Sequence, residues 1–173
     1  IYIPLLLTGS SYDLSEFWAG LFLAIQGITS GIVSFQARRL SEKFQRPHIL
    51  AAGFTLMSGA LFFIFFSSAL WQIITALLIF GSGFGSVQPQ INTWITEQVG
   101  GPQRGGLVSL FNTMKYVGQT LSPLLFGAVL AGVSVEMVFA AAGIIGIASI
   151  TAAFSLKYTR PPKTGPTPHK EDE

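Results

Sequence analysis

Five long apolar runs, separated by short polar segments, constrain this chain more than any other feature. Each is close to the roughly 20 residues that a helix needs to cross a bilayer, or longer. Only 10% of the residues are charged, whereas a soluble domain has about a quarter. A segment in lipid must satisfy its own backbone hydrogen bonds, so runs of this length predict helices. We therefore predict an all-α polytopic membrane protein with spans at residues 17–36, 48–66, 70–95, 106–130 and 135–156.

The two ends of the chain differ from these runs. Residues 1–11 are apolar but would form only about 16 Å of helix, which is half of a span. The first residue is Ile1, and no secretory signal pattern follows it, so we expect the sequence to begin inside a transmembrane helix. Residues 158–173 are rich in proline and charge, which predicts a disordered tail after a helix bundle that covers residues 1–157.

Nine of the ten lysines and arginines lie in segments that alternate topology places on one side of the membrane. By the positive-inside rule this side is cytoplasmic, and so is the C-terminal tail. We expect the protein to lie in the plasma (inner) membrane. Because membrane orientation explains where these cations lie, we expect them to contact lipid head groups and not nucleic acid. The basic segments are 37–47, 96–106 and 157–173, and those without a cation are 8–16, 67–72 and 131–136.

The tenth cation, Lys115, lies well inside the apolar run 106–130. An ionisable side chain at membrane depth costs roughly 2.5–3.5 kcal/mol on insertion scales and usually faces a protein interior or a watery cavity. Spacings of three and four place polar neighbours on the same helix face. We favour a role for Lys115 in substrate or ion binding. The alternative is that its side chain snorkels to the membrane surface or pairs with a residue that serves only the structure. The face comprises Asn112, Lys115, Tyr116, Gln119, Ser122 and Pro123.

Two other runs, 17–36 and 70–95, also carry polar faces. We predict that both face one polar cavity together with Lys115, although such groups also bond helices to one another in membranes. The remaining runs predict supporting or lipid-facing helices. Run 17–36 has the polar residues Gln26, Ser30 and Ser34 beside a strip suited to close helix packing, Gly20, Ala24, Gly27 and Gly31. Run 70–95 has Gln88 and Asn92, with Thr96 directly after its end, beside Gly81 and Gly85.

Glycine and proline inside these runs mark places where helices bend or approach one another closely. In run 70–95 we expect Gly81, Gly85 and Pro89 to act in this way. In run 106–130 we expect the same of Gly118 and Pro123.

The basic segment 38–47, RRLSEKFQRP, resembles the loop G-x-L-x-D-R-x-G-R-R of the major facilitator superfamily. In that family the acid and its basic neighbours latch helices at the cytoplasmic gate, a role that the resemblance gives to Glu42, Lys43 and Arg46. The alternative is that the charges of this segment only set the orientation of the protein in the membrane. Leu40 and Arg46 match the motif, Glu42 and Lys43 stand for its acid and first arginine, and Arg38, Gln45 and Pro47 depart from it.

Residues 118–127, GQTLSPLLFG, are similar to the G-x-x-x-G-P-x-x-G-G run of proton-coupled antiporters in the same family. Ser122 and Phe126 stand in place of two glycines. The resemblance implies the C-terminal six-helix half of a twelve-helix fold, with residues 1–11 as part of the seventh helix. The five complete spans would be the eighth to twelfth helices. The partner would be the N-terminal half of the same protein.

The resemblance implies secondary active transport by alternating access, and proton-coupled efflux of a drug-like or metabolite substrate is the leading hypothesis. Uptake of a sugar or an organic anion stays open, because Lys115 suits an anionic substrate. A non-transporting sensor or assembly protein on the same scaffold also stays open. We expect no cofactor, no metal and no enzyme, because the runs hold no interior histidine base, no nucleophile motif and no carboxylate pair at depth.

Overall fold

The computed structural model describes residues 2–8, 14–97, 103–130, 132 and 135–155, and these residues form helices and no strand. The prediction of an all-α protein is confirmed. The predicted tail, residues 158–173, lies outside the described residues. The described helices are α1 (Tyr2–Thr8), α2 (Glu16–Lys43), α3 (Arg46–Phe65), α4 (Leu70–Glu97), α5 (Arg104–Leu130) and α6 (Val135–Ser155).

Three of the described helices, α2, α3 and α4, are long and apolar enough to cross a membrane. The described part of α5 is not among them, although the helix has 27 residues, and it carries the polar face around Lys115. α6 contributes a shorter apolar segment, Met137–Thr151. The predicted spans 106–130 and 135–156 therefore correspond to helices α5 and α6. Over their described residues, these two helices have less apolar length than α2, α3 and α4.

The segment predicted as a basic loop, residues 37–47, is mostly helical. α2 continues past the predicted end at residue 36 to Lys43, and the N–H of Phe44 donates to the carbonyl of Leu40 at 2.9 Å. α3 begins at Arg46 and has Pro47 in its first turn. Proline is tolerated there because first-turn N–H groups have no helical acceptor. The basic residues of this segment thus belong to helix ends and not to a loop.

α4 is the centre of the described bundle. α2 packs along one side of it and α3 along another, while α6 packs against α3. α2 and α3 touch each other only over a short stretch, and α5 makes few contacts with α4 and α6. The packing order is therefore α2–α4–α3–α6, with α1 against α2 and with α5 at the edge.

The largest apolar core lies at the end of the bundle opposite the basic helix ends. It joins the end of α1 and the start of α2 to the end of α3 and the start of α4 and α6. Lipid tails are as apolar as these side chains, so close van der Waals packing holds such a core together in a membrane. Its buried members are Leu6, Leu7, Ala19, Phe22, Ile64, Ile73, Ala76, Leu77 and Phe139.

Glycines on two sides of α4 allow its neighbours to approach closely. A Cβ added to Gly81 would lie 2.7 Å from the carbonyl oxygen of Gln26 in α2, and one on Gly85 would overlap the Ser30 carbonyl. On the opposite side, a Cβ on Gly83 would lie 2.6 Å from the carbonyl oxygen of Gly53 in α3. The backbone of α4 is therefore sandwiched between the backbones of α2 and α3.

The small-residue strip predicted on α2 makes no such contact. A Cβ on Gly20, Gly27 or Gly31 would meet nothing within 4 Å among the described residues. The same holds for Gly118 in α5, which was expected to serve packing or bending. The reason is that α4 contacts α2 on the face of Gln26 and Ser30, so the strip beside it is left open.

Candidate functional site

A cleft of about 370 Å³ lies beside Lys115, between α1 and α5. Tyr2 closes it on the α1 side: its hydroxyl donates a hydrogen bond to the carbonyl of Pro123 at 3.1 Å, and its ring meets that of Phe126 edge to face at 6.1 Å. These two contacts tie the short first helix to the last third of α5. The cleft is lined by Tyr2, Lys115, Gly118, Gln119, Ser122 and Pro123.

Lys115 is half-buried in this cleft. Its ammonium nitrogen lies 5.2 Å from the ring centroid of Tyr116, within the range of a cation–π contact. No carboxylate in the described part of the chain forms an ion pair with it. Among the described residues, the ring of Tyr116 is therefore the group that interacts with this positive charge.

Pro123 adds a backbone acceptor to the same cleft. Proline has no N–H, so the carbonyl of Gln119, four residues earlier in α5, lacks its helical donor. Gln119 also lines the cleft with an exposed side chain. One stretch of α5 therefore offers a cation, an amide and a carbonyl without its helical donor within about one helical turn of each other.

The structure brings together only part of the predicted cavity. Lys115 and Gln119 line the cleft, whereas Asn112 is half-buried and Tyr116 is exposed elsewhere on α5. Gln26, Gln88 and Asn92 do not line it, because α5 makes few contacts with α4. Tyr2 was not predicted, although it is the one hydrogen-bonding side chain in the apolar stretch 1–7 and could have been identified on that ground.

Between α2 and α4, the polar side chains bond one helix to the other. The hydroxyl of Ser34 donates to the carbonyl of Gly85 at 3.0 Å. The buried amide of Gln90 donates to Ser41 Oγ at 2.6 Å and to the carbonyl of Ala37 at 3.3 Å. No role was predicted for Gln90, and its burial could not be read from the sequence.

Pro89 explains the first of these bonds. It lies inside α4, so the carbonyl of Gly85, four residues earlier, lacks its helical donor. The hydroxyl of Ser34 supplies that donor from α2. The proline that weakens α4 thereby gives it a polar attachment to α2.

At the basic end of the bundle, Arg46 forms a bidentate ion pair with Glu97. The guanidinium donates to the two carboxylate oxygens at 2.6 and 3.0 Å, which joins the start of α3 to the end of α4. Glu97 lies beyond the apolar part of α4, and the hydrogen bond from Arg46 lowers the pKa of its carboxyl. Glu42 and Lys43, the other predicted gate residues, are exposed in the last turn of α2.

Comparison with known proteins decides the family. The chain matches the family model described as Major Facilitator Superfamily over residues 1–173. The chain belongs to the major facilitator superfamily. This confirms the resemblance to that family and agrees with a membrane protein built of apolar helices.

Two relatives extend this result. The membrane sensor protein UhpC of Salmonella typhimurium is 32% identical over 113 residues, which cover 64% of this chain and 25% of the relative. The uncharacterized MFS-type transporter YvkA of Bacillus subtilis is 27% identical over 153 residues, which cover 85% of this chain and 34% of the relative. The chain thus spans between a quarter and about a third of these curated relatives. No solved structure matches the chain significantly.

Proposed function

We propose that this chain is the C-terminal part of a secondary active transporter that exports a small metabolite or drug-like compound bearing an acidic group. Alternating access moves the substrate, and protons moving in the opposite direction drive it. The N-terminal half of the same protein completes the cavity. Membership of the major facilitator superfamily and similarity to an MFS-type transporter support the transport role.

The position of Lys115 carries the choice of substrate class. A half-buried ammonium without an ion-pair partner in the described residues is stabilised by an anionic ligand. Gln119 and Tyr2 line the same cleft, and the Gln119 carbonyl and the Tyr2 hydroxyl oxygen, whose proton is donated to Pro123, suit hydrogen-bond donors on the ligand. A small acid that also carries a hydroxyl or amino group complements this set.

The direction of transport and its coupling rest on the stretch 118–127. It resembles the glycine–proline run of proton-coupled antiporters, and its residues 118, 119, 122 and 123 line the cleft. Among the described acids, Glu97 lies at a helix end with a lowered pKa, so it is not placed to carry the coupling proton across the membrane. We assign the proton-carrying acid to the N-terminal half.

One relative favours a second function. The protein UhpC is named a membrane sensor, and a sensor on this scaffold binds its ligand in the same cleft without moving it. Such a protein needs the cleft but not the coupling proton. Binding without flux distinguishes this alternative from the transporter.

The test uses the full-length protein in proteoliposomes with an imposed pH gradient. We expect a small organic acid to move against its own gradient while protons run down theirs, and a protonophore to abolish this flux. Transport in the direction of proton flow supports uptake instead of efflux. Ligand binding with no flux of any tested acid or of its neutral analogue supports the sensor.

The proposed orientation is tested separately. We infer that the basic helix ends and the C-terminus face the cytoplasm of a cell whose plasma (inner) membrane holds the protein. A fluorescent protein that folds only in the cytoplasm, fused after Glu173, is expected to fluoresce. A dark fusion at normal abundance contradicts this orientation.

A further inference from the structure

Two hollows share Leu40 in their lining, close to the basic end of the bundle and away from the Lys115 cleft. One is an apolar groove of about 460 Å³ between α2 and α3. The other is a polar hollow of about 490 Å³ along the last turns of α2. Leu40 lines both of them, so a ligand can extend from one into the other.

The central position of α4 creates the apolar groove. α2 and α3 each pack along α4 and barely touch each other, which leaves a gap between them. Its apolar lining includes Leu40, Phe44, Ile49, Ala52 and Leu56. Its polar lining consists of His48 at the start of α3 and of Ser86, whose hydroxyl donates to the carbonyl of Ser82 at 2.9 Å. The groove therefore suits a hydrocarbon chain, and its volume falls within the roughly 300–1,000 Å³ of small-molecule sites.

Arg39 and Lys43 give the polar hollow its charge. They lie one turn apart on α2, and both side chains are exposed. Gln36 and Glu42 complete the polar part of the lining. Two cations and one carboxylate leave the hollow net positive, which suits an anionic group that also accepts hydrogen bonds.

We propose that the two hollows together bind one anionic glycerophospholipid. Its phosphate lies between Arg39 and Lys43, and one acyl chain passes Leu40 into the groove between α2 and α3. Basic pockets between transmembrane helices bind anionic lipid head groups in this way. The ligand must combine a phosphate with a long hydrocarbon chain, because each hollow satisfies only one of these parts. The surrounding bilayer supplies molecules of that chemistry.

Native mass spectrometry of the detergent-purified full-length protein tests this proposal. Phosphatidylglycerol and phosphatidylcholine with identical acyl chains are added in separate titrations. We expect an adduct of phosphatidylglycerol at concentrations where phosphatidylcholine gives none. Arg39→Gln is expected to weaken the adduct roughly fivefold, the effect of removing one cation near an anionic lipid. Lys163→Gln, which removes the same charge from the C-terminal segment, is the control and leaves the adduct unchanged.

A second pair of variants tests the groove. Ala52→Trp fills it from α3, where Ala52 is exposed, and is expected to abolish the adduct. Ala148→Trp places the same side chain on an exposed position of α6 and leaves the adduct intact. Phe44→Ala removes one wall of the groove and serves where Ala52→Trp fails to fold.

Three outcomes overturn the proposal. The first is equal retention of the two lipids by the wild type. The second is an adduct that survives both Ala52→Trp and Phe44→Ala, which places the lipid elsewhere. The third is full displacement of the lipid by inorganic phosphate with no effect of Ala52→Trp, which assigns the polar hollow to a free anion.

Discussion

Ser34 of α2 donates its hydroxyl to the carbonyl of Gly85 in α4, at 3.0 Å. That carbonyl is the one that Pro89 deprives of its helical donor. A carbonyl that lacks its donor within α4 thus receives a hydrogen bond from a side chain of α2. The arrangement ties the polar face of α2 to the place where α4 is weakest.

The first prediction concerns this three-residue arrangement. Ser34→Ala leaves the Gly85 carbonyl without a donor and is expected to lower the free energy of unfolding by about 1–2 kcal/mol. In a Pro89→Ala background the restored N–H bonds to the same carbonyl, so the cost of Ser34→Ala is expected to fall by about 0.6–1.7 kcal/mol. A double-mutant cycle measured by reversible denaturation of the full-length protein gives both values.

Ser82→Ala is the matched control, because the hydroxyl of Ser82 donates to Leu78 within its own helix. Its cost should be the same with proline or alanine at position 89. Equal costs of Ser34→Ala in the two backgrounds mean that Pro89 and Ser34 act independently, and the explanation is then wrong.

The second prediction concerns the contact between α2 and α4. A methyl group on Gly85 or Gly81 would run into the backbone carbonyl of Ser30 or Gln26, which cannot rotate away. Gly85→Ala and Gly81→Ala are therefore expected to destabilise the protein by about 1–3 kcal/mol, the usual cost of overpacking. The shift in the denaturation midpoint of each variant measures this cost.

Gly27→Ala supplies the contrast on the open face of α2. Its Cβ meets nothing within 4 Å among the described residues, so no loss of stability is expected. A loss comparable with that of Gly85→Ala shows instead that another part of the full-length protein covers this face.

The sequence predicted the helices well, because apolar length in lipid leaves a chain few alternatives. It also placed Gly81, Gly85 and the polar residues of α2 and α4 on common faces through helical periodicity. Periodicity does not say which neighbour a face meets. The strip that includes Gly27 was therefore expected to pack closely, but its glycines face no other described residue.

In the candidate site, too, the sequence indicated individual residues but not the residues that they contact. The position of Lys115 in an apolar run marked the cleft, since a charge at that depth is costly. Tyr2 and Glu97 were missed because each acts on a residue far away in sequence: 121 positions separate Tyr2 from Pro123, and 51 separate Arg46 from Glu97. Only packing brings such pairs together.

The third prediction concerns Arg46 and Glu97. Both side chains are partly exposed, so Arg46→Ala or Glu97→Gln is expected to cost less than about 1 kcal/mol of stability. Exchange of the two charges, Arg46→Glu with Glu97→Arg, should recover part of that loss. A loss in the exchanged protein equal to the sum of both single losses excludes a pairing role.

The pH dependence of this pair has a defined sign. Because the pKa of Glu97 is lowered in the folded protein, its contribution is present above the unfolded value of about 4.3 and is lost as the pH falls through the lower folded value. Between about pH 6 and 8 the difference in stability between wild type and Glu97→Gln should therefore stay constant. A difference that changes across this range contradicts the assignment.

The fourth prediction concerns Lys115 and transport. Removing a charged hydrogen-bond donor from a bound anion costs about 1.5–3 kcal/mol, so Lys115→Gln is expected to lower kcat/KM for an acidic substrate roughly 10- to 150-fold. Lys115→Arg keeps the charge and is expected to retain more activity. Flux is measured in proteoliposomes at matched protein abundance, for the acid and for its neutral analogue.

The comparison of the two substrates separates binding from structural support. Thr113→Ala is the control on the same helix, because the hydroxyl of Thr113 is exposed and donates to the carbonyl of Ser109. If Lys115 binds the acidic group, Lys115→Gln affects only the acid, and Thr113→Ala affects neither substrate. If Lys115 instead snorkels or supports the fold, both fluxes or the abundance of the protein fall together, since the charge then acts on the helix and not on the ligand.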